Sequence, residues 1–121
     1  MAEGKGIEYY NNGNVKYDGI FKNGIKEGKG ELYYSNGGKY VEDFKNNERD
    51  GEGKEFLNNN ELNYEGHWKK GIKEGNGKEY YHNKILYEGG FKNNNREGEG
   101  TYFYENGERY VGKFKNGLAE G

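Results

Sequence analysis

The chain has 121 residues, 30% of them hydrophobic, with 21 acids against 19 bases and a net charge of −2. Without cysteine it has no disulfide, thiol nucleophile or thiolate zinc site, and its balanced charge argues against nucleic acid as a partner, which calls for a basic surface. Leu, Ile and Val are scarce, whereas 13 Tyr, 6 Phe and 1 Trp make 17% of the chain and 23 residues are Gly, so a thin structure held by aromatic rings is expected rather than a thick aliphatic core.

In chain order, Gly-x-Gly opens a unit at Gly4, Gly28, Gly51, Gly75 and Gly98, and Gly121 stands where a sixth would open. The resulting units are 4–27, 28–50, 51–74, 75–97 and 98–120, one repeat array from end to end. Each unit continues with a bulky pair: Tyr9-Tyr10, Tyr33-Tyr34, Phe56-Leu57, Tyr80-Tyr81 and Phe103-Tyr104. An Asn-rich tight spot follows, as in Asn12-Gly13 and Asn106-Gly107. Next comes Tyr-x-Gly-x-aromatic: Tyr17-Gly19-Phe21, Tyr64-Gly66-Trp68, Tyr87-Gly89-Phe91 and Tyr110-Gly112-Phe114, with Glu42 replacing the glycine between Tyr40 and Phe44. Lys-Asn-Gly or a variant and then an acid close the unit.

Asn-Gly between alternating runs is a hairpin signal, because both residues tolerate positive φ. No window shows helical periodicity. The expected fold is all-β: an elongated single-layer antiparallel sheet of five stacked β-hairpins, with about ten strands spaced roughly 4.8 Å apart. A ring lying over glycine on a neighbouring strand explains the Tyr-Gly-aromatic runs, and stacking supplies the interface that one hairpin lacks.

These residues resemble MORN repeats, most closely in Tyr64-Glu65-Gly66-His67-Trp68-Lys69-Lys70-Gly71 through Gly77 and in Tyr110-Val111-Gly112-Lys113-Phe114-Lys115-Asn116-Gly117. The resemblance covers nearly the whole chain. It implies the elongated antiparallel sheet, and a role as scaffold or protein-binding module, with membrane association or homodimer formation in some members. Glu8, Leu32, Glu55, Glu79 and Tyr102 occupy a position that is usually aromatic, and the following residue is aromatic instead; this is similar to the bacterial variant of the repeat.

Register assigns faces. A three-residue loop pairs Tyr104 with Glu108 and Tyr102 with Tyr110, and a four-residue loop pairs Tyr10 with Val15 and Glu8 with Tyr17, the loop absorbing the length difference. Tyr10, Tyr34, Leu57, Tyr81 and Tyr104 then join the Tyr-Gly-Phe face. Tyr9, Tyr33, Phe56, Tyr80 and Phe103 fall on the other, opposite Lys16, Lys39, Asn63, Leu86 and Arg109. They form either an exposed contact stripe or rings covered by side-chain stems. The candidate binding residues are this stripe together with Tyr17, Tyr40, Tyr64, Trp68, Tyr87 and Tyr110, which are foremost core positions.

Catalytic material is sparse. Ser35 and Thr101 are the only small hydroxyl residues, and His67 and His82 occupy non-equivalent repeat positions, so no nucleophile–base pair is indicated. Asp50-Gly51-Glu52 gives no complete calcium ligand set. No catalytic residue, metal site or cofactor is expected. Glu27, Asp50, Glu74, Glu97 and Glu120 are expected to offset the row Lys22, Lys45, Lys69, Lys92 and Lys115. The expected function is a non-enzymatic protein-interaction scaffold with an unidentified protein partner. The alternatives are a module touching membrane phospholipid through the Lys row, and a glycan or small-ligand binder. Unpaired edge strands point to a homodimer. No stretch approaches 18 apolar residues and Met1 to Gly6 holds no apolar signal segment, so a cytoplasmic location is expected, with membrane association as the variant.

Overall fold

The computed structural model describes residues 3–120; Met1, Ala2 and Gly121, where a sixth unit would open, lie outside the described residues. Eleven strands form one sheet in chain order: β1 Glu3–Tyr9, β2 Val15–Lys22, β3 Ile25–Tyr33, β4 Lys39–Lys45, β5 Glu48–Phe56, β6 Leu62–Lys69, β7 Ile72–Tyr81, β8 Lys84–Lys92, β9 Asn95–Phe103, β10 Arg109–Lys115 and β11 Leu118–Ala119. Every neighbouring pair is antiparallel, and the eleventh strand is a two-residue extension beyond the expected ten.

The closing turns of the units are two-residue loops with both residues at positive φ. Asn23 and Gly24 have φ of 52° and 81°, Asn116 and Gly117 52° and 86°, and Lys70-Gly71, Asn46-Asn47 and Asn93-Asn94 follow suit. This backbone matches the twist of the flanking strands, which explains the Asn and Gly content. Four of the other turns are three-residue loops whose last residue also has positive φ: Gly13, Gly37, Asn60 and Gly107. In each, an Asn carboxamide oxygen accepts the amide two residues on, as Asn12 Oδ1 does from Asn14 N at 2.9 Å.

One expectation about register is corrected here. Glu8 does face Tyr17 and Tyr102 does face Tyr110, but Tyr9, not Tyr10, faces Val15. The extra residue sits in the ladder as a β-bulge at Lys16, and likewise at Asn63 and Leu86. The loop therefore stays at three residues in the first unit, and shortens to His82-Asn83 in the fourth. Tyr33 and Phe103 face Lys39 and Arg109 as expected, whereas Phe56 faces Leu62 and Tyr80 faces Ile85. A bulge keeps the tight loop and its Asn hydrogen bond intact, at the expense of one unpaired ladder residue.

The core lies on one face. Ten rings form an unbroken edge-to-face chain in the order Phe21, Tyr17, Phe44, Tyr40, Trp68, Tyr64, Phe91, Tyr87, Phe114, Tyr110, with centroids 4.8–5.5 Å apart. Each tyrosine except Tyr110, which ends the row, touches the aromatic of its own unit and that of the next, so no unit before the last closes its core alone. Its hydroxyl donates to the carbonyl three residues on, for example Tyr40 to Asp43 O at 2.7 Å and Tyr64 to His67 O at 2.9 Å. The ring lies on the second glycine of the next Gly-x-Gly: a Cβ on Gly30 would stand 2.3 Å from the Tyr17 hydroxyl oxygen.

Burial raises the phenol pKa of Tyr17, Tyr40, Tyr64 and Tyr87, to about 12 for Tyr17 and Tyr87. The folded chain thus holds these protons more tightly than the unfolded chain, whose phenols ionise near 10. The associated stability is complete below about pH 10 and is lost as pH climbs through about 12. Urea unfolding midpoints should be level up to about pH 9 and fall steeply above 10; a level midpoint through pH 12 contradicts this assignment.

Glu42 stands where other units have glycine, with φ of 111°, a region that strains any side-chain-bearing residue. Glu42→Gly should raise stability by about 1 kcal/mol, read as a higher urea midpoint. The change removes the exposed Glu42–Lys29 ion pair at 3.2 Å, and Lys29 retains its shorter pair with Asp43 at 2.6 Å.

Candidate interaction surface

Above the ring chain lies a layer of cations that sequence reasoning missed. Lys26, Arg49, Lys73 and Arg96 stand over Tyr17, Trp68, Tyr64 and Tyr87 at 5.3, 4.7, 4.8 and 5.4 Å from the ring centroids. Carboxylates on the same face hold them: Glu8 to Lys26 at 3.1 Å, Glu55 to Arg49 at 3.6 Å, and Glu79 to Arg96 at 2.6 Å. The acids sit directly across from the core tyrosines, Glu55 between Tyr40 and Tyr64, and Glu79 between Tyr64 and Tyr87. This is why Tyr17, Tyr40, Tyr64 and Tyr87 are wholly buried in a one-layer sheet, and why Trp68 is nearly so. Their place is the floor beneath the surface. Tyr110, at the end of the row, is half-buried. A signal for the cations exists in the sequence: a base recurs two residues before four of the five Gly-x-Gly openings, at Lys26, Arg49, Lys73 and Arg96.

On the opposite face, Tyr33, Phe56, Tyr80 and Phe103 are half-buried and Tyr9 is 58% exposed. Lys39 lies over the Phe56 ring at 5.5 Å, and the hydroxyls of Tyr33 and Tyr80 donate to Glu31 and Glu65 at 2.7 and 2.9 Å. Stems and carboxylates thus cover much of the stripe. Farther along this face, burial alone works to raise the Asp43 carboxyl pKa, but the Lys29 ammonium and the Glu52 amide hold it below the usual carboxylate range.

The row of unit-closing acids is a second correction. Glu27, Asp50, Glu74 and Glu97 accept hydrogen bonds from the turn amides of Asn46, Lys70, Asn93 and Asn116, one unit ahead, at 2.6–3.3 Å. Among the described residues no ion pair joins these acids to Lys45, Lys69, Lys92 or Lys115. Open turn amides need an acceptor more than an exposed lysine needs a counter-ion. Lys45, Lys69, Lys92 and Lys115 are consequently exposed along the turn edge. The same edge is stitched by backbone bonds between units, such as Gly71 N to Arg49 O at 2.9 Å.

The opposite, Asn-rich loop edge carries the accessible rings. Tyr81 and Tyr104 are 59% and 50% exposed and Leu57 is 44% exposed, whereas Tyr34 is packed against the core and bonded to Glu55 and Arg49. Parity placed all of these with the core; the ladder ends beside them, which lets the last ring turn outward. Recesses open between neighbouring loops. One of about 370 Å³ has Tyr81 and Tyr104 as walls and includes Ile85, Leu86 and Phe103. It falls beside the hairpin with the shortest loop. Another, of about 600 Å³, lies between the first two loops.

Among the described residues, neither His67 nor His82 hydrogen-bonds Ser35 or Thr101. His67 meets Glu52 at 2.7 Å and His82 meets Glu61 at 3.5 Å. Among the described residues no cluster of three or more His, Asp or Glu side chains is placed to hold a metal, and no helix is long and apolar enough to cross a membrane.

The sequence matches the family model described as MORN repeat in six segments, residues 1–15, 17–39, 43–60, 64–84, 87–109 and 110–121. No curated protein matches the chain.

Proposed function

Because the chain belongs to the MORN-repeat family, whose repeats generally mediate protein and membrane interactions on a typically non-enzymatic fold, we propose that it is a non-enzymatic, cytoplasmic scaffold that holds a protein partner on its loop edge. The observation that carries this reading is the recess of Tyr81 and Tyr104. Two large rings, half or more exposed, stand over apolar side chains on a sheet whose interior is filled. Aromatic anchors of this kind dominate interface energies. A photo-crosslinking residue placed at Glu105, in the recess, should capture a partner from host extract, and one at Asn116, on the turn edge, should not. Tyr81→Ala combined with Tyr104→Ala should abolish the adduct while leaving thermal unfolding unchanged. Equal capture from both positions, or an adduct indifferent to the double substitution, refutes the reading.

Self-association accompanies it. Ile7 and Tyr9 on β1 and Val111 and Leu118 near the other end are 50–73% exposed, which suits strand addition between copies. A homodimer is the expected product, seen as a concentration-dependent sedimentation coefficient across a hundredfold range; a constant monomer value rules it out.

A second reading, membrane association, is favoured by the exposed Lys45, Lys69, Lys92 and Lys115. Co-sedimentation with phosphatidylserine vesicles, but not with phosphatidylcholine vesicles, supports it. Binding to neither removes it.

A further inference from the structure

The recess between the first and second loops differs in chemistry from the rest of the surface. One third of the chain is charged, yet none of the ten residues lining this recess is. It holds Tyr10, Tyr33 and Tyr34 together with Asn11, Asn12 and Asn14. Its volume of about 600 Å³ is in the range of small-molecule sites. The rings are fixed: the Tyr10 hydroxyl donates to Tyr33 O at 2.6 Å, and the Tyr34 hydroxyl donates to Glu55 at 2.8 Å. Lys16 Nζ stands 5.6 Å from the Tyr10 ring centroid and is not among the lining residues.

The amides remain available. Asn12 uses its carboxamide oxygen within the loop and keeps its NH₂. Asn11 and Asn14 are exposed, and each side chain offers both a donor and an acceptor. A hydroxyl group also donates and accepts. Fixed rings present a flat apolar face, and uncharged amides present two-way hydrogen bonds. Together they suit a ligand with apolar C–H faces and many neutral hydroxyls, and no lining side chain carries a charge to pair with an ionic group.

We propose that this recess is a binding site for a neutral oligosaccharide. A smaller recess of about 300 Å³ lies one unit on and shares Tyr34 and Gly38 with it, adding Asn36, Asn58 and Asn63 and one carboxylate, Glu55, which accepts from Tyr34 and Asn63. Successive units are two strands apart, roughly 10 Å, so a linear oligosaccharide can seat one part in each recess. The site is separate from the protein-binding recess of Tyr81 and Tyr104, and either assignment can fail without the other.

The test is a titration of the isotope-labelled chain with cellotetraose, tetra-N-acetylchitotetraose and maltotetraose, with tetragalacturonate as the anionic comparison. At least one neutral sugar should shift amide signals of Tyr10–Asn14 and Tyr33–Gly38, together with those of Phe56–Asn58 where it reaches the second recess. Asn11→Ala, an exposed change, should weaken that sugar about fivefold, the equivalent of a lost hydrogen bond. Tyr10→Ala should weaken it by about tenfold or more, and Tyr81→Ala should leave it unchanged. Should Tyr10→Ala fail to fold, Asn11→Ala still decides. No shift with any neutral sugar, shifts centred on Tyr81 and Tyr104, affinity indifferent to Asn11→Ala, or equal binding of tetragalacturonate overturns the proposal.

Discussion

Trp68→Ala should destabilise the chain by about 3–5 kcal/mol, the range for deleting a buried aromatic side chain. Trp68 sits midway in the ring chain, 5.2 Å from Tyr40 and 5.3 Å from Tyr64, so its removal breaks the row into two. It also removes the nearer of the two rings beside the Arg49 guanidinium, 4.7 Å away against 5.9 Å for Tyr34, leaving the cation above a cavity. The indole N–H donates to Gly53 O at 3.3 Å, a weak bond, so its loss is the smaller part. Trp68→Phe tests that division. Phe44 and Phe91 fill the same position in neighbouring units, and the phenyl variant should recover all but about 1 kcal/mol. The adjacent His67→Ala, on the other face and exposed, should stay within about 0.5 kcal/mol. Denaturant unfolding of the three variants is sufficient. Similar losses from Trp68→Ala and His67→Ala would falsify the face assignment.

The parts of this structure that the sequence makes legible are those that repeat. Tyr17, Tyr40, Tyr64, Tyr87 and Tyr110 recur with an aromatic four residues on, and the strand period puts each pair on one face. The turns are legible because residues such as Asn23-Gly24 accept positive φ at both positions. What escaped is what depends on small differences between units. An added residue can enter a loop or the ladder at similar energy, and only the intact Asn12 and Asn59 hydrogen bonds show why the ladder takes it at Lys16 and Asn63. The acids escaped because charge alone pairs them with lysines, whereas the fold places the next unit's turn amides within reach. The candidate surface escaped for a related reason. Period two is a rule for paired residues, and Tyr81 and Tyr104 stand where pairing stops.

Gly77→Ala should cost about 3 kcal/mol, at the upper end for one added methyl group. The new Cβ would lie 2.2 Å from the Tyr64 hydroxyl oxygen and 2.5 Å from Cζ. The ring cannot slide away, because Trp68 and Phe91 hold it edge-to-face on both sides. Lifting it breaks its bond to His67 O and pushes it toward the Lys73 ammonium, 4.8 Å from its centroid. Backbone strain is not the cause, since Gly77 does not have positive φ. The effect therefore belongs to the ring, and a double-mutant cycle isolates it. Tyr64→Ala alone should be severely destabilising, as a deleted buried aromatic is. With the ring already gone, adding Gly77→Ala should cost nothing more, and the better strand propensity of alanine makes a small gain the expected sign. Additive losses in the double variant would mean that Gly77 is required by the ladder with Gly66, whose own Cβ would meet Gly77 Cα at 2.5 Å, and not by the tyrosine above it.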